Sequence, residues 1–559
     1  MNSSLDNMET SEQTLHHDVD NTEKLIQILS DYSPGTIIKL KPGIYKIGQS
    51  MTLTKDIIFA GQGENKGDTT IESDEPSAFI IQGGNIHFKN MTVYANFKGV
   101  LPDNELKKGT LLVLKGALSI ENSVVNANNI PCIHIRGDEA KAGITLTELK
   151  NGSSGIVIDE GGYANVSQCD IHDMEICGLY IVDESRLSIS KSTIHKCEFG
   201  LLAHNKGAGR PNVMVANCQV NDVVHTGIAI QGGDIICQDT EVSYCKKFGI
   251  AFFKDEKIFN DSLRGTGQFT NCDLISNYTT NISLLNCSAK FKDCRVHCSK
   301  EFVQNSINEE WMEPLSKAPL GVNVLEDCEI IMDKCVFDHP GIGAYFHSVK
   351  RSDKPILFKD CKFSQHETSV LLTSEAEVHN DLSLETPDLD SYGVFEGCVF
   401  TDFDHCAIQS MSRDPRFLVK NCDIYNGGEK IIEEQLGSGI TFVGQYANGP
   451  KGSIEDSRFT NIMGAAIGIG VGADIAVCRC NINGADYGVA IGLLAECKVE
   501  DCEIQNIKHI GIVTNSDKAC KFIGNKISNC GKSAWLLGPN ATNLVKEKNG
   551  SPAECVGIN

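Results

Sequence analysis

The chain has 559 residues, with 50 basic against 73 acidic side chains and a formal charge of −23. That balance argues against nucleic acid or an anionic membrane as main partner, although a local basic site is compatible with it. No apolar run reaches membrane-spanning length, and the polar start Met1–Asp20 lacks the apolar stretch of a secretory signal.

Residues 1–20 are rich in Ser, Asn, Asp and His and are expected to be disordered. Asn21 through Leu29 then reads as a short amphipathic helix with Leu25, Ile26, Ile28 and Leu29 apolar and a polar N-cap at Asn21 or Thr22. Residues 21–34 would cap a solenoid end, which otherwise exposes backbone edges and core. From 35 to 543 the chain repeats short runs of Ile, Val and Phe bounded by Gly, Asn and Asp, which read as strands. Residues 544–559 read as a tail.

Ten cysteines share one column of that repeat: Cys169, Cys218, Cys272, Cys294, Cys335, Cys361, Cys398, Cys422, Cys480 and Cys502. Each precedes Ile, Val, Leu or Phe by two places, and Ser123, Ser192, Thr240, Ser457 and Asn525 fill the column elsewhere. Positions 457, 480, 502 and 525 are 22 or 23 apart. A period near 22 means a solenoid whose coils bury their apolar faces against each other. Recurrent leucine and a helical arc are missing, so a leucine-rich repeat is set aside. The expected fold is all-β: a single-domain right-handed parallel β-helix of roughly 16 to 18 coils with a short N-terminal capping helix.

In such a coil the column residue points inward and stacks at about 4.8 Å on its equivalents. Cysteine fits because it is small, apolar and content when buried. The residue ahead of it (Asn217, Asn271, Asp293, Asp360, Asn421 or Asp501) is the expected turn residue. Stacked cysteines lie close enough to bridge, but 24 of them without a secretory signal favour a reducing compartment and a ladder of buried thiols. The expected location is therefore cytoplasmic, with signal-independent delivery into a host cell as the alternative. Cys478 and Cys480 are too close in sequence for a zinc knuckle, and no metal site is expected.

Five insertions interrupt the repeat at Asn96–Gly109, Asp255–Gln268, Asn308–Pro319, Glu375–Tyr392 and Asn426–Gly437. Insertions on a repeat protein usually build its binding face. Trp311, one of two tryptophans, is a sugar-stacking or protein-anchoring candidate in the third of them.

The opening "GTIIKLKPGIYKI … LTKDIIFAGQGE" resembles the first coils of the pectate-lyase-like β-helix superfamily, and the later coils resemble its "right-handed β-helix region". The resemblance spans nearly the whole chain from residue 35. It implies the fold and leaves function open, because lyases, hydrolases, esterases, epimerases and pure binders share it. It also implies that a substrate would lie along the Gly-Ile-x-Ile strand, across outward-pointing side chains.

Strand alternation lists those positions. One row reads His134, Val157, Tyr180, Leu202, Ala229, Ala251; the next reads Arg136, Asp159, Val182, His204, Gln231, Phe253. The catalytic candidates are His134, Arg136, Asp159, Tyr180 and His204, with Gln231, Phe253 and Trp311 as binding candidates. Arg136 and Asp159 would be neighbours one coil apart, a spacing that allows an ion pair. The C-terminal coils continue as Gly468, Ala490, Val513 and Gly470, Gly492, Asn515, bare of acids and bases apart from one amide.

Catalytic signatures of the superfamily are missing. Asp159 has no outward acidic neighbour in its own row for a calcium-dependent lyase, no Asp-Asp occurs, and Asp414-Pro415-Arg416 lacks the histidine of the alginate-epimerase motif. The expectation is a β-helix scaffold that binds a protein or glycan partner through its loops and the N-terminal half of its exposed strand face, without catalysis. The alternative is a polysaccharide lyase or epimerase; a fibre protein ranks third. No cofactor is expected, and Ca2+ would enter only with the lyase. The sequence leaves the oligomeric state open.

Overall fold

The computed structural model describes residues 15–559 except 100–107, 255–263, 299–301, 303–319, 326–327, 348–355, 374–391, 412–415, 430–436, 445–448, 548, 550–554 and 558–559. Trp311 and most of each of the five insertions lie outside the described residues. The strand Gly265–Thr270 takes up the end of the insertion placed at Asp255–Gln268.

The described residues hold 54 strands and one helix, Thr22–Ser30. Asn21 caps that helix by accepting a hydrogen bond from the Lys24 N–H at 2.9 Å, and Leu25 and Leu29 are its buried residues. The strand His16–Val19 lies within the stretch expected to be disordered, and it pairs in parallel with Thr36–Leu40. Ordering this stretch supplies a partner for the edge backbone of the first coil. Leu544–Glu547, expected in the tail, likewise continues the pairing from Cys520–Ile523.

The chain forms two compact units, Met1–Val224 and His225–Asn559. Each is a parallel β-solenoid with three strand tracks per coil, and the chain makes about 19 turns in all. In the first unit one track aligns Ile133, Ile156, Leu179 and Leu201, all buried. A second aligns Ile144, Val166, Ile189 and Val215, and a third Leu149, Ile171, Ile194 and Val220. Alternate residues of each strand therefore point into one continuous core.

The second unit repeats this plan with larger side chains. Phe269 stacks on Phe291 with ring centroids 4.6 Å apart, Phe337 on Phe363 at 4.7 Å and Phe363 on Phe400 at 4.9 Å. In-register strands place identical rings directly above one another.

The turn ahead of the column is left-handed: φ is 54° at Asn217, 51° at Asn271, 52° at Asp293 and Asp360, and 53° at Asn421 and Asp501. Asn and Asp tolerate that region better than other residues with a Cβ, which explains their recurrence.

The column itself has a polar duty that its residue types hide. Cys272 Sγ donates to the carbonyl two residues back, Thr270, at 3.5 Å, and Cys361, Cys422 and Cys502 do the same to Lys359, Lys420 and Glu500 at 3.3–3.4 Å. Ser123, Ser192 and Ser457 make the equivalent bond at 2.8 Å, as does Thr240. Asn525 instead donates to Val499 of the preceding coil. Where cysteine, serine or threonine fills it, the slot holds a small buried donor, so small apolar character is only half of what those coils use.

Candidate functional site

The outward rows of the first unit fall in the expected register. His134 on Ile133–Arg136 aligns with Val157 on Ser154–Asp159, then with Tyr180 and Leu202. Arg136 aligns with Asp159, and Val182 with His204. The side chains, however, pair diagonally between rows.

His134 is closed off, with 3% exposure. Its Nδ1 lies 3.2 Å from the Lys108 carbonyl oxygen, and a Cβ on Gly109 would sit 3.0 Å from the His134 Cβ. On the other side its Nε2 is 3.2 Å from Asp159 Oδ1, an ion-pair distance without hydrogen-bond alignment. The expected Arg136–Asp159 pair does not form. Arg136 instead grips Glu160 through both Nε, at 2.6 Å, and a terminal amino group. The reason is local: Glu160 has φ 52° and Gly161 φ 87°, so the chain turns left-handed and swings the Glu160 side chain toward Arg136. This hydrogen bond to Glu160 is the main reason that the guanidinium pKa rises above its ordinary value.

Two coils on from His134, Tyr180 Oη meets His204 Nδ1 at 3.1 Å, and Lys206 Nζ stands 5.2 Å from the centre of the phenol ring. Burial is the largest cause raising the Tyr180 pKa, opposed by Lys206. Tyr180 therefore keeps its proton and is a half-buried ring carrying a cation, an arrangement suited to holding polar, hydroxylated surface.

Glu160, Lys206 and the Lys108 carbonyl are the parts that sequence reasoning missed. The first had a signal in Asp159-Glu160-Gly161-Gly162, where paired acids precede a glycine turn. The candidates of the second unit do not extend an open face: Ala229 and Ala251, expected outward, are fully buried, and Phe253 packs edge-on to Phe248 at 6.0 Å beside half-buried Gln231. The C-terminal positions Gly468, Ala490 and Val513 align as expected.

Among the described residues, no group of three or more His, Cys, Asp or Glu side chains is placed to hold a metal ion. Nor is any helix among them long and apolar enough to cross a membrane.

The sequence family described as "Right handed beta helix region" matches residues 77–234, 348–527 and 444–550. No curated protein sequence matches the chain. Among solved structures, the Dettilon tailspike protein aligns at 11% identity and a TM-score of 0.32, over 67% of this chain and 62% of the tailspike. This chain thus spans less than two thirds of the tailspike's aligned structure. PfbA, a surface adhesin of Streptococcus pneumoniae, aligns at 11% identity and 0.33, over 63% of this chain and 88% of the adhesin. An alginate lyase of the PL6 family, AlyGC, aligns at 10% identity and 0.28, over 96% of this chain and 100% of the lyase. At such identities the likeness concerns the fold alone.

Proposed function

Because the chain belongs to the right-handed β-helix family, whose fold fixes no single activity, we propose that it is a binding scaffold for a glycan or protein partner and not a catalyst. The observation that carries this reading is the clamping of Arg136 by Glu160. A guanidinium held by a carboxylate, with its pKa raised, is a poor base, and His134 beside it is sealed beneath the Lys108 carbonyl. Tyr180, His204 and Lys206 remain as a surface that can hold a partner. A glycan suits that surface better than an apolar protein face, because its donors and its ring match hydroxyls and sugar edges.

The Tyr180–His204 contact supports a second reading, a polysaccharide lyase or epimerase in which the phenol donates a proton. Only under that reading would Ca2+ be needed. Incubation with alginate and polygalacturonate separates the two, since β-elimination leaves an ultraviolet-absorbing double bond. We expect no absorbance increase from the wild type, and loss of captured glycan on an array with Tyr180→Ala. Turnover abolished by Tyr180→Phe or Arg136→Ala would replace the scaffold reading with the lyase.

We place the working protein in a reducing setting, cytoplasmic or reached by delivery into a host cell, with its column cysteines as a ladder of thiols. Burial supports this: all ten column cysteines are buried, and burial raises Cys169 to about 11, which suppresses its reactive thiolate. The native protein is expected to react slowly with a thiol reagent at pH 8 and to release nearly its full complement of 24 in denaturant. Counting far fewer thiols in denaturant without reductant would show bridges instead.

A further inference from the structure

One concave surface of the second unit is built from residues other than those considered so far. It is a groove of about 800 Å³ along one corner of successive coils. Its floor is a ladder of asparagines in the left-handed region, Asn426, Asn461, Asn506 and Asn529, with φ of 53–56°. Their amides bond from coil to coil: Asn461 Nδ2 donates to Asn426 Oδ1 at 3.3 Å, and Asn529 Nδ2 donates to Asn506 Oδ1.

The ladder jogs at one coil. Gly484, φ 77°, occupies the asparagine place there, and Asn506 Nδ2 donates instead to Asn483 Oδ1 at 2.8 Å. Asn461 Oδ1 therefore faces a glycine that offers no side-chain donor, and the missing side chain leaves a recess in the floor. An amide in a ladder uses one donor and one acceptor of the four positions it has, so the floor presents a further set of both.

The walls fix the charge preference. Lys508 pairs with Asp486 at 3.1 Å, while Arg458 in the adjoining recess is held by Asp423 at 2.6 and 2.7 Å. Asp402 and Glu429 add carboxylates to the same groove, and Met463, 55% exposed, adds an apolar edge. Both cations are thus neutralised and acids are in excess, which disfavours a polyanion.

We propose that this groove binds an extended, uncharged, hydroxyl-rich oligosaccharide, seated on the asparagine floor with one hydroxyl in the recess above Gly484. Its length fits: five coils separated by four steps of about 4.8 Å span roughly 19 Å. The repeat of donors and acceptors from coil to coil fits a chain of repeating polar units. The residues are different from those of the Tyr180 face, and the inference stands without it.

Calorimetric titration of the full-length protein with cellohexaose, xylohexaose, chitohexaose and hexagalacturonate tests it. At least one of the three uncharged hexasaccharides is expected to bind saturably, and hexagalacturonate to bind none or far more weakly. Gly484→Asn continues the ladder, since asparagine accepts the left-handed region, and fills the recess. It is expected to weaken binding by about tenfold or more and to lower the melting temperature only slightly, since its Cβ would meet the movable Asn461 Oδ1 at 3.2 Å. Should Gly484→Asn fail to fold, Asn461→Gly removes an amide while keeping the backbone conformation, and is expected to weaken binding similarly. Tyr180→Ala should leave this binding intact. Absence of binding by all three uncharged probes, preference for hexagalacturonate, or loss with Tyr180→Ala but not with Gly484→Asn or Asn461→Gly would overturn the proposal.

Discussion

Phe358→Ala is expected to destabilise the second unit by about 4 kcal/mol, the cost of deleting a fully buried aromatic side chain. Phe358 is 0% exposed and lies at the centre of a cluster. Its ring centroid is 5.3 Å from Phe395, 5.7 Å from Phe363, 6.0 Å from Phe346 and 6.2 Å from Phe337. Four rings lose a neighbour at once, and in-register strands leave the backbone little room to collapse into the void. Its neighbour Leu357 points the other way and is half-buried, so Leu357→Ala is expected to cost less than about 1 kcal/mol. Urea unfolding followed by circular dichroism measures both, and comparable losses from the two would contradict the assignment of the inward face.

Acid is expected to weaken the same unit. His339 and His366 are buried, 1% and 0% exposed, with ring centroids 4.6 Å apart. The His339 Nδ1 faces the Pro340 carbonyl at 2.9 Å, and among the described residues its Nε2 and both nitrogens of His366 meet no well-aligned hydrogen-bond partner. Burial pushes His339 down to about 4, and burial followed by the neighbouring His339 pushes His366 well below the ordinary histidine value. Both imidazoles are therefore neutral when folded. Above about pH 6.5 they are neutral in the unfolded chain too, and full stability is present. As pH falls from there toward 4, the unfolded chain takes up protons first and stability drains away, by about 3 kcal/mol from His339 alone. Melting temperatures at pH 7 and 4.5 should show this fall. His366→Phe should make it smaller while leaving the His339 share, because phenylalanine already stands at the same distance from its column cysteine at Phe403. A wild-type melting temperature equal at the two pH values would contradict the account.

The parts of this fold legible in the sequence are those where backbone geometry restricts residue type. A left-handed turn admits few side chains, so Asn217 and Asp501 announce it; a core position alternating along a strand admits only apolar ones. Coil number was less legible, and about 19 turns exceed the expected 16 to 18. Met91, after Asn90 at φ 53°, and Thr147, after Leu146 at φ 54°, occupy column places without looking like the cysteines that define it. Thr147 Oγ1 even makes the slot's bond, to Thr145 at 2.8 Å.

The candidate site was legible only as rows. That His134 and Arg136 point outward follows from alternation, but the choice of Glu160 over Asp159 depends on one backbone angle. The burial of His134 depends on a segment that arrives from 26 residues earlier. Neither leaves a mark in a repeat.

The register that stacks each coil on the next also limits how this gene can change in length. One residue added within a strand would turn its inward side chains outward and its outward ones inward. Insertions and losses that survive must then fall at the corners, where a loop can absorb them, or come as whole coils of 22 or 23 residues such as that between Ser457 and Cys480. Its descendants should thus differ from it by loops of any size and by coils in whole numbers.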